Sequence, residues 1–334
     1  MKKIIGILSC FLFVMLAIVG CSCNKDDDKR ASLSVGDMNA TTYQVINLTE
    51  YNTKINNKED FVLYLYSEYC GGCAIFSPIL NKVIEEKHLI IYAIDNDQIP
   101  DGHALDGRMT ASLLIYDDGK ILKEISQEND KDKEIFKSKD NLISFLNQYT
   151  NMPTMYYINK TQLDEKINNH EDFIVYYALG GCSDCKSIDK NFLREFLDNN
   201  PNSKTFYIVE TKSEGFRLKD GIADSEQWIQ FKADYSLSKT DKEFGYGDGY
   251  VPTFHYYKDG EIKAMAVYFN DTKETVAENN DGTKIIKITD SYYSDNPYLL
   301  NGQTMLNTEY DEKLKDFFNT KIQAFFDNYL GLVD

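Results

Sequence analysis

Short unbroken apolar runs alternate along this chain with longer stretches whose apolar residues recur every three or four positions. Phe61-Val62-Leu63-Tyr64-Leu65-Tyr66 and Phe173-Ile174-Val175-Tyr176-Tyr177 are continuous and rich in β-branched and aromatic residues, the pattern of strands buried on both faces. A polar helix-like stretch precedes each, Thr49 to Asn57 and Thr161 to Asn169, and a glycine-containing turn follows. Next come helical faces, at Ile75, Phe76, Ile79, Leu80, Val83 and Ile84 in one case and Ile188, Phe192, Leu193, Phe196 and Leu197 in the other, spaced to put one side of a helix against a core. Further buried strands are predicted at Leu89 to Ile94 and Thr205 to Val209. Hairpins then turn at Asp117-Asp118-Gly119 and Lys258-Asp259-Gly260, joining Leu113–Tyr116 to Ile121–Ile125 and Phe254–Tyr257 to Ile262–Phe269. Closing helices are predicted at Lys139 to Tyr149 and Thr308 to Leu330. Strand, helix, strand, hairpin and helix predict an α/β fold, a mixed central sheet flanked by helices, built twice.

The doubling is visible residue by residue. With an offset of 112, Ile46-Asn47 faces Ile158-Asn159, Lys54-Ile55-Asn56-Asn57 faces Lys166-Ile167-Asn168-Asn169, and Glu59-Asp60-Phe61 faces Glu171-Asp172-Phe173. Residues 46–73 hold 13 identities in 28 positions. A period this long marks tandem domains rather than a solenoid, whose units are roughly 20–50 residues. The expected organisation is a domain at 42–150 and a second at 154–334, enlarged by insertions near 211–249 and 270–307. The first insertion carries the only tryptophan, Trp228, a helix predicted from Ser225 to Asp234 and a glycine-rich run to Tyr250; the second is rich in Asn, Asp and Tyr. They read either as a partner-binding surface or as surface loops.

The N-terminus changes the picture of location. Lys2-Lys3 precede an apolar run from Ile4 to Gly20, and Ile18-Val19-Gly20-Cys21 ends it. This resembles the lipobox of bacterial lipoproteins, which implies a signal peptide at 1–20, acylation of Cys21 and anchoring to the extracytoplasmic face of the cell membrane; the competing reading is an uncleaved signal-anchor helix. The charged Lys25-Asp26-Asp27-Asp28-Lys29-Arg30 and the residues to about 41 then read as a lipidated tether, 21–41. The formal charge is −17 over 334 residues, and removing Lys2 and Lys3 leaves −19. So acidic a surface argues against nucleic acid as a partner and against electrostatic adsorption to anionic lipid.

Of the seven cysteines, Cys10 lies in the leader, Cys21 is the lipid site and Cys23 sits in the tether; the rest form two pairs, Cys70/Cys73 and Cys182/Cys185. The segment Tyr69-Cys70-Gly71-Gly72-Cys73-Ala74-Ile75-Phe76-Ser77-Pro78 resembles the thioredoxin active site, with its aromatic before the first cysteine and its proline five residues past the second. Tyr250-Val251-Pro252-Thr253-Phe254 resembles the cis-proline strand of the same family. The resemblance implies two thioredoxin-like folds, protein thiols or disulfides as partners, a membrane redox partner, and no cofactor or metal. It implies Cys70 and Cys182 as nucleophiles, Cys73 and Cys185 as resolving thiols, and Thr110, Ala111, Val251 and Pro252 as the backbone that pairs with substrate. The physical basis is that only the thiolate attacks, and a helix N-terminus stabilises one. A structural disulfide is the competing reading, although so short a loop removes little unfolded-state entropy. A zinc site is another, although the pairs lie much further apart than those of a metal ribbon. The four histidines, His88, His103, His170 and His255, form no cluster in the sequence.

Several positions depart from the family. Tyr64 and Tyr176 stand where thioredoxins carry a buried carboxylate. Ala111 replaces the cis-proline of the first copy, and an alanine cis peptide costs about 2.5–4 kcal/mol, so the first copy is expected to hold substrate backbone poorly. In the second copy Gly180-Gly181 replaces the aromatic, and Asp184 is expected to oppose a thiolate at Cys182, with Lys186 partly offsetting it. Two functions follow as expectations: extracytoplasmic thiol–disulfide exchange through both sites, or a non-catalytic thioredoxin-fold binding lipoprotein, an accessory factor for export or bacteriocin immunity.

Overall fold

The computed structural model describes residues 29–201, 203–211, 226–237, 249, 251–267, 272–290 and 302–330. The expected leader, Cys10, Cys21, Cys23, Tyr250 and most of 212–248 lie outside the described residues.

In chain order the first half contains β1 (Ala31–Ser32), β2 (Val35–Asp37), β3 (Gln44–Val45), α1 (Leu48–Asn56), β4 (Phe61–Tyr66), α2 (Gly71–Lys87), β5 (Ile91–Asp95), β6 (Ser112–Asp117), β7 (Lys120–Ser126) and α3 (Lys139–Tyr149). The second half contains β8 (Thr150–Asn151), β9 (Met155–Tyr157), α4 (Lys160–Asn168), β10 (Phe173–Ala178), α5 (Ser183–Ile188), α6 (Arg194–Asn199), β11 (Phe206–Glu210), α7 (Glu226–Asp234), β12 (Thr253–Lys258), β13 (Glu261–Val267), β14 (Thr272–Glu278), β15 (Lys284–Asp290), β16 (Thr304–Leu306) and α8 (Asn307–Tyr329).

The first sheet runs β3-β5-β4-β6-β7, with β4 parallel to β5 and antiparallel to β6. Alternation along β4 sorts its side chains to two cores. Val62 and Tyr64 pack with Phe76, Leu80 and Val83 of α2 and with Leu142 and Leu146 of α3, while Phe61, Leu63 and Leu65 pack with Tyr51 of α1 and with Tyr116. The second sheet places its strands in a matching order, β9-β11-β10-β12-β13, and adds β2 beyond β9. Its core surrounds Phe326 of α8, whose ring meets Phe192, Phe196, Phe206 and Phe254.

Local chemistry explains why the halves fold alike. Asn47 and Asn159 each cap a helix through a reciprocal box, with Glu50 and Gln162 as the returning side chains. Each hairpin turns through two residues at positive φ, Asp118 and Gly119 at 52° and 72°, Asp259 and Gly260 at 54° and 74°, the two-residue geometry that suits the twist of the strands. A Cβ on Gly119 would lie 2.6 Å from the Ile55 carbonyl oxygen, so this hairpin needs glycine to pack on α1 as well.

The structure corrects the later part of the expected tether. Ala31 is fully buried, β1 pairs with β8, and β2 pairs in parallel with β9 as an edge strand of the second sheet. Unpaired strand edges gain hydrogen bonds by such additions, which a charge pattern alone does not reveal. The halves also meet at Arg194, which donates to the carbonyls of Asn57 and Lys58 at the end of α1. Much of the stretch expected as an insertion at 270–307 is an antiparallel sheet, β14-β15-β16, that buries Ile286, Ile288 and Met305. Among the described residues no helix is long and apolar enough to cross a membrane.

Candidate functional site

In the first half β4 ends at Tyr66 and the chain turns through Ser67, whose hydroxyl donates to Asp97 and whose carbonyl accepts from the Cys70 N–H. Cys70 is the N-cap of α2, and its sulfur accepts the Cys73 N–H at 3.1 Å. A sulfur in this position uses one of the helix's unpaired donors, which favours its anion. Desolvation pushes the Cys70 thiol up, but hydrogen bonds from the Cys73 thiol, the Thr110 hydroxyl and the Cys73 and Gly72 N–H groups outweigh it and leave the group below its ordinary value. Cys73 is buried, and desolvation together with the Cys70 sulfur raises it.

The second half repeats the arrangement with different neighbours. Cys182 caps α5, its sulfur accepting the Cys185 N–H at 3.4 Å and its thiol donating to the Val251 carbonyl at 3.6 Å. The hydrogen bond from the Cys185 thiol is the strongest influence on Cys182; with the N–H groups of Cys185 and Asp184 it lowers the group to about 6 against the opposing desolvation. The expected opposition from the Asp184 carboxylate is present but is the weakest of these influences. Buried Cys185 is raised, first by its hydrogen bond to Cys182 and then by desolvation. All four of these cysteines are free thiols.

Of the residues expected to pair with substrate, the Thr110 hydroxyl reaches Cys70 and the Val251 carbonyl reaches Cys182. The backbone at Ala111 differs from expectation: the Thr110–Ala111 peptide is cis, as is Val251–Pro252. Ala111 is fully buried ahead of β6 and its carbonyl accepts the Gln127 N–H at 3.0 Å, so packing and pairing hold the segment without a proline ring. The sites also differ at their rims. Tyr69, Ile75 and Met109 stand 90%, 65% and 54% exposed around the first, whereas Gly181 and Ser187 take the positions of Tyr69 and Ile75 in the second.

Other residues join the sites without any motif to announce them. The Ser77 and Tyr64 hydroxyls lie 3.2 Å apart in the first half, and the Tyr176 hydroxyl donates to Asp189 at 3.2 Å in the second. Gln127 covers Gly72, and Glu210 closes on Gly180. The continuous helix expected after Cys182 is interrupted. Where α2 runs unbroken through Pro78, a π-turn at Asp189–Leu193 separates α5 from α6. Such bulges are frequent at functional sites, and this one starts at the residue that meets Tyr176. No group of three or more metal-binding side chains occurs among the described residues.

The thioredoxin family model matches residues 42–140, so the first half contains a thioredoxin domain within a mixed α/β chain. Among solved structures, a thioredoxin variant from Halobacterium salinarum is 19% identical over 34% of this chain and 94% of its own, with a TM-score of 0.26. Thioredoxin O2 from Arabidopsis thaliana is 18% identical over 32% and 94%, and a thioredoxin from Malassezia sympodialis 14% identical over 32% and 93%, each with a TM-score of 0.26.

Proposed function

We propose that this chain is an extracytoplasmic thiol–disulfide oxidoreductase, lipid-anchored through Cys21, whose second half is a second, enlarged thioredoxin-like fold. The observation that carries the reading is the repeated polarisation of each cysteine pair. In both, the first sulfur caps a helix, accepts the N–H of its partner and is lowered, while the partner is buried and raised. That split suits exchange, in which an accessible thiolate attacks a protein disulfide and a protected thiol resolves the mixed intermediate. A structural pair needs no such asymmetry. The lipobox-like Ile18-Val19-Gly20-Cys21 supports the address, and the matching strand orders of the two sheets support the second fold.

The test is turnover. The purified chain is expected to accelerate insulin reduction by dithiothreitol or the refolding of a reduced protein, and Cys70→Ser with Cys182→Ser to abolish the effect. No acceleration in either assay overturns the exchange reading and favours a non-catalytic binding lipoprotein.

A further inference from the structure

Each buried cysteine has a tyrosine of the central strand as a neighbour, Tyr64 for Cys73 and Tyr176 for Cys185, and each hydroxyl is close enough to favour ionisation of the sulfur. Both rings are fully buried. Each hydroxyl has one further partner, and here the halves part. Tyr64 meets the Ser77 hydroxyl, whereas Tyr176 meets the Asp189 carboxylate, which occupies the position equivalent to Ser77 under the 112-residue offset.

We propose that Tyr176 and Asp189 form a proton relay that takes up the Cys185 proton when Cys185 resolves a mixed disulfide on Cys182, and that the first half lacks its terminal acceptor. The proposal rests on the exchange activity inferred above. Cys182 thiolate attacks a substrate disulfide, and one substrate thiolate leaves. Cys185 then passes its proton to the Tyr176 oxygen while the Tyr176 hydroxyl proton passes to Asp189 Oδ1. The Cys185 thiolate attacks Cys182 Sγ, the bond from Cys182 to the substrate sulfur breaks, and the second substrate thiolate leaves. The substrate gains two electrons and the site becomes a Cys182–Cys185 disulfide. Tyr176 ends neutral, and Asp189 ends protonated.

The surroundings suit an acceptor. Asp189 as a residue is exposed, while its carboxyl turns inward to Tyr176, so a proton collected from the core has a route to solvent. The groups that act on it include Tyr157 of β9, Tyr176 of β10, Cys182 at the start of α5 and Glu210 of β11. Desolvation first, then the Cys182 and Glu210 charges, raise the carboxyl to about 6 despite the Tyr176 hydrogen bond. A carboxylate near that value is ionised at neutral pH and still a better base than an ordinary one. Ser77 offers no basic atom of that kind.

The test uses the full chain carrying Cys10→Ser, Cys21→Ser, Cys23→Ser, Cys70→Ser and Cys73→Ser, reduced and mixed with dithionitrobenzoate. Attack by Cys182 releases one coloured thiolate and resolution by Cys185 releases a second, so the phases separate the steps. Since positioned acid–base groups contribute roughly 10²–10⁴-fold, Asp189→Asn is expected to cut the ratio of second-phase to first-phase rate at pH 7 by at least about tenfold. It should also flatten the rise of that ratio between about pH 5 and 7, and Asp189→Glu should restore part of both. In the reciprocal chain, with only the first pair present, Ser77→Asp should introduce the same pH-dependent rise. An unchanged ratio and profile in Asp189→Asn overturns the relay. A first phase no faster than that of an ordinary thiol overturns the exchange activity instead, because that phase precedes the relay.

Discussion

The polarisation of the second pair can be dissected by replacing one atom. Cys185 acts on Cys182 through its thiol hydrogen bond and its backbone N–H. With Cys182 lowered to about 6, roughly 90% of it is thiolate at pH 7, against about 1% for a thiol at the ordinary value of 9.0. Nucleophilicity falls with basicity at a slope of about 0.4–0.5, which costs roughly 16- to 30-fold and leaves Cys182 about three to six times faster than an ordinary thiol. Hydrogen bonds to charged groups contribute about 1.5–3 kcal/mol, equivalent to about one to two pH units. Cys185→Ala keeps the backbone donor and removes the thiol, so the Cys182 midpoint should move up to roughly pH 7–8. Cys185→Ser keeps a side-chain donor at the same place and should stay close to the wild-type midpoint. The assay is the rate of iodoacetamide alkylation at Cys182 against pH, read by mass spectrometry of the peptide that contains it. A wild-type midpoint above pH 8, or identical midpoints for wild type and Cys185→Ala, would refute the reasoning.

Two further outcomes concern the fold. Gly119 and Gly102 both have positive φ, 72° and 78°, but only Gly119 has a backbone oxygen in the way of a Cβ; Gly119→Ala should therefore lower stability by about 1–3 kcal/mol more than Gly102→Ala in denaturant melts, and equal losses would contradict the packing argument. Phe326 is fully buried against Phe192, Phe196, Phe206 and Phe254, so Phe326→Ala should cost about 3–5 kcal/mol, and a loss under about 1 kcal/mol would mean that α8 is not integral to the second core.

The central strands were legible because burial on both faces leaves an unmistakable run of apolar residues. The prediction of Phe61 to Tyr66 has the bounds of β4, and that of Lys139 to Tyr149 the bounds of α3. Both cysteine turns were legible because each pair opens a stretch of helical periodicity, and Cys70 and Cys182 do cap helices. The features that the chain alone does not reveal depend on partners distant in sequence. β2 is three residues long and gains its identity from Met155–Tyr157, 120 positions on. In β15 the alternation around Ile286 and Ile288 is carried by a strand with an exposed face, where polar residues mask the periodicity that a doubly buried strand displays. Asp189 was hidden because its significance lies across the fold in Tyr176; along the chain it is one acid among many.

The same dependence on neighbours separates the chemistry of the two cysteine pairs. Lowering a nucleophile's pKa stabilises the dithiol form more than the disulfide, which makes a pair more oxidising. Cys182 is lowered to about 6 and Cys70 is lowered as well, so in the proposed exchange both shifts would favour the dithiol form of their pair. The rims differ as well. Tyr69, Ile75 and Met109 expose apolar surface at the first site, and the second has Gly181 and Ser187 in the places of Tyr69 and Ile75, with acidic groups close to Cys182. The two halves thus share the parts that set geometry, the Asn47 and Asn159 caps, the cysteines at helix starts and the tyrosines of the central strands. They differ at the positions around them, which set the charges and hydrogen-bond partners that each sulfur meets.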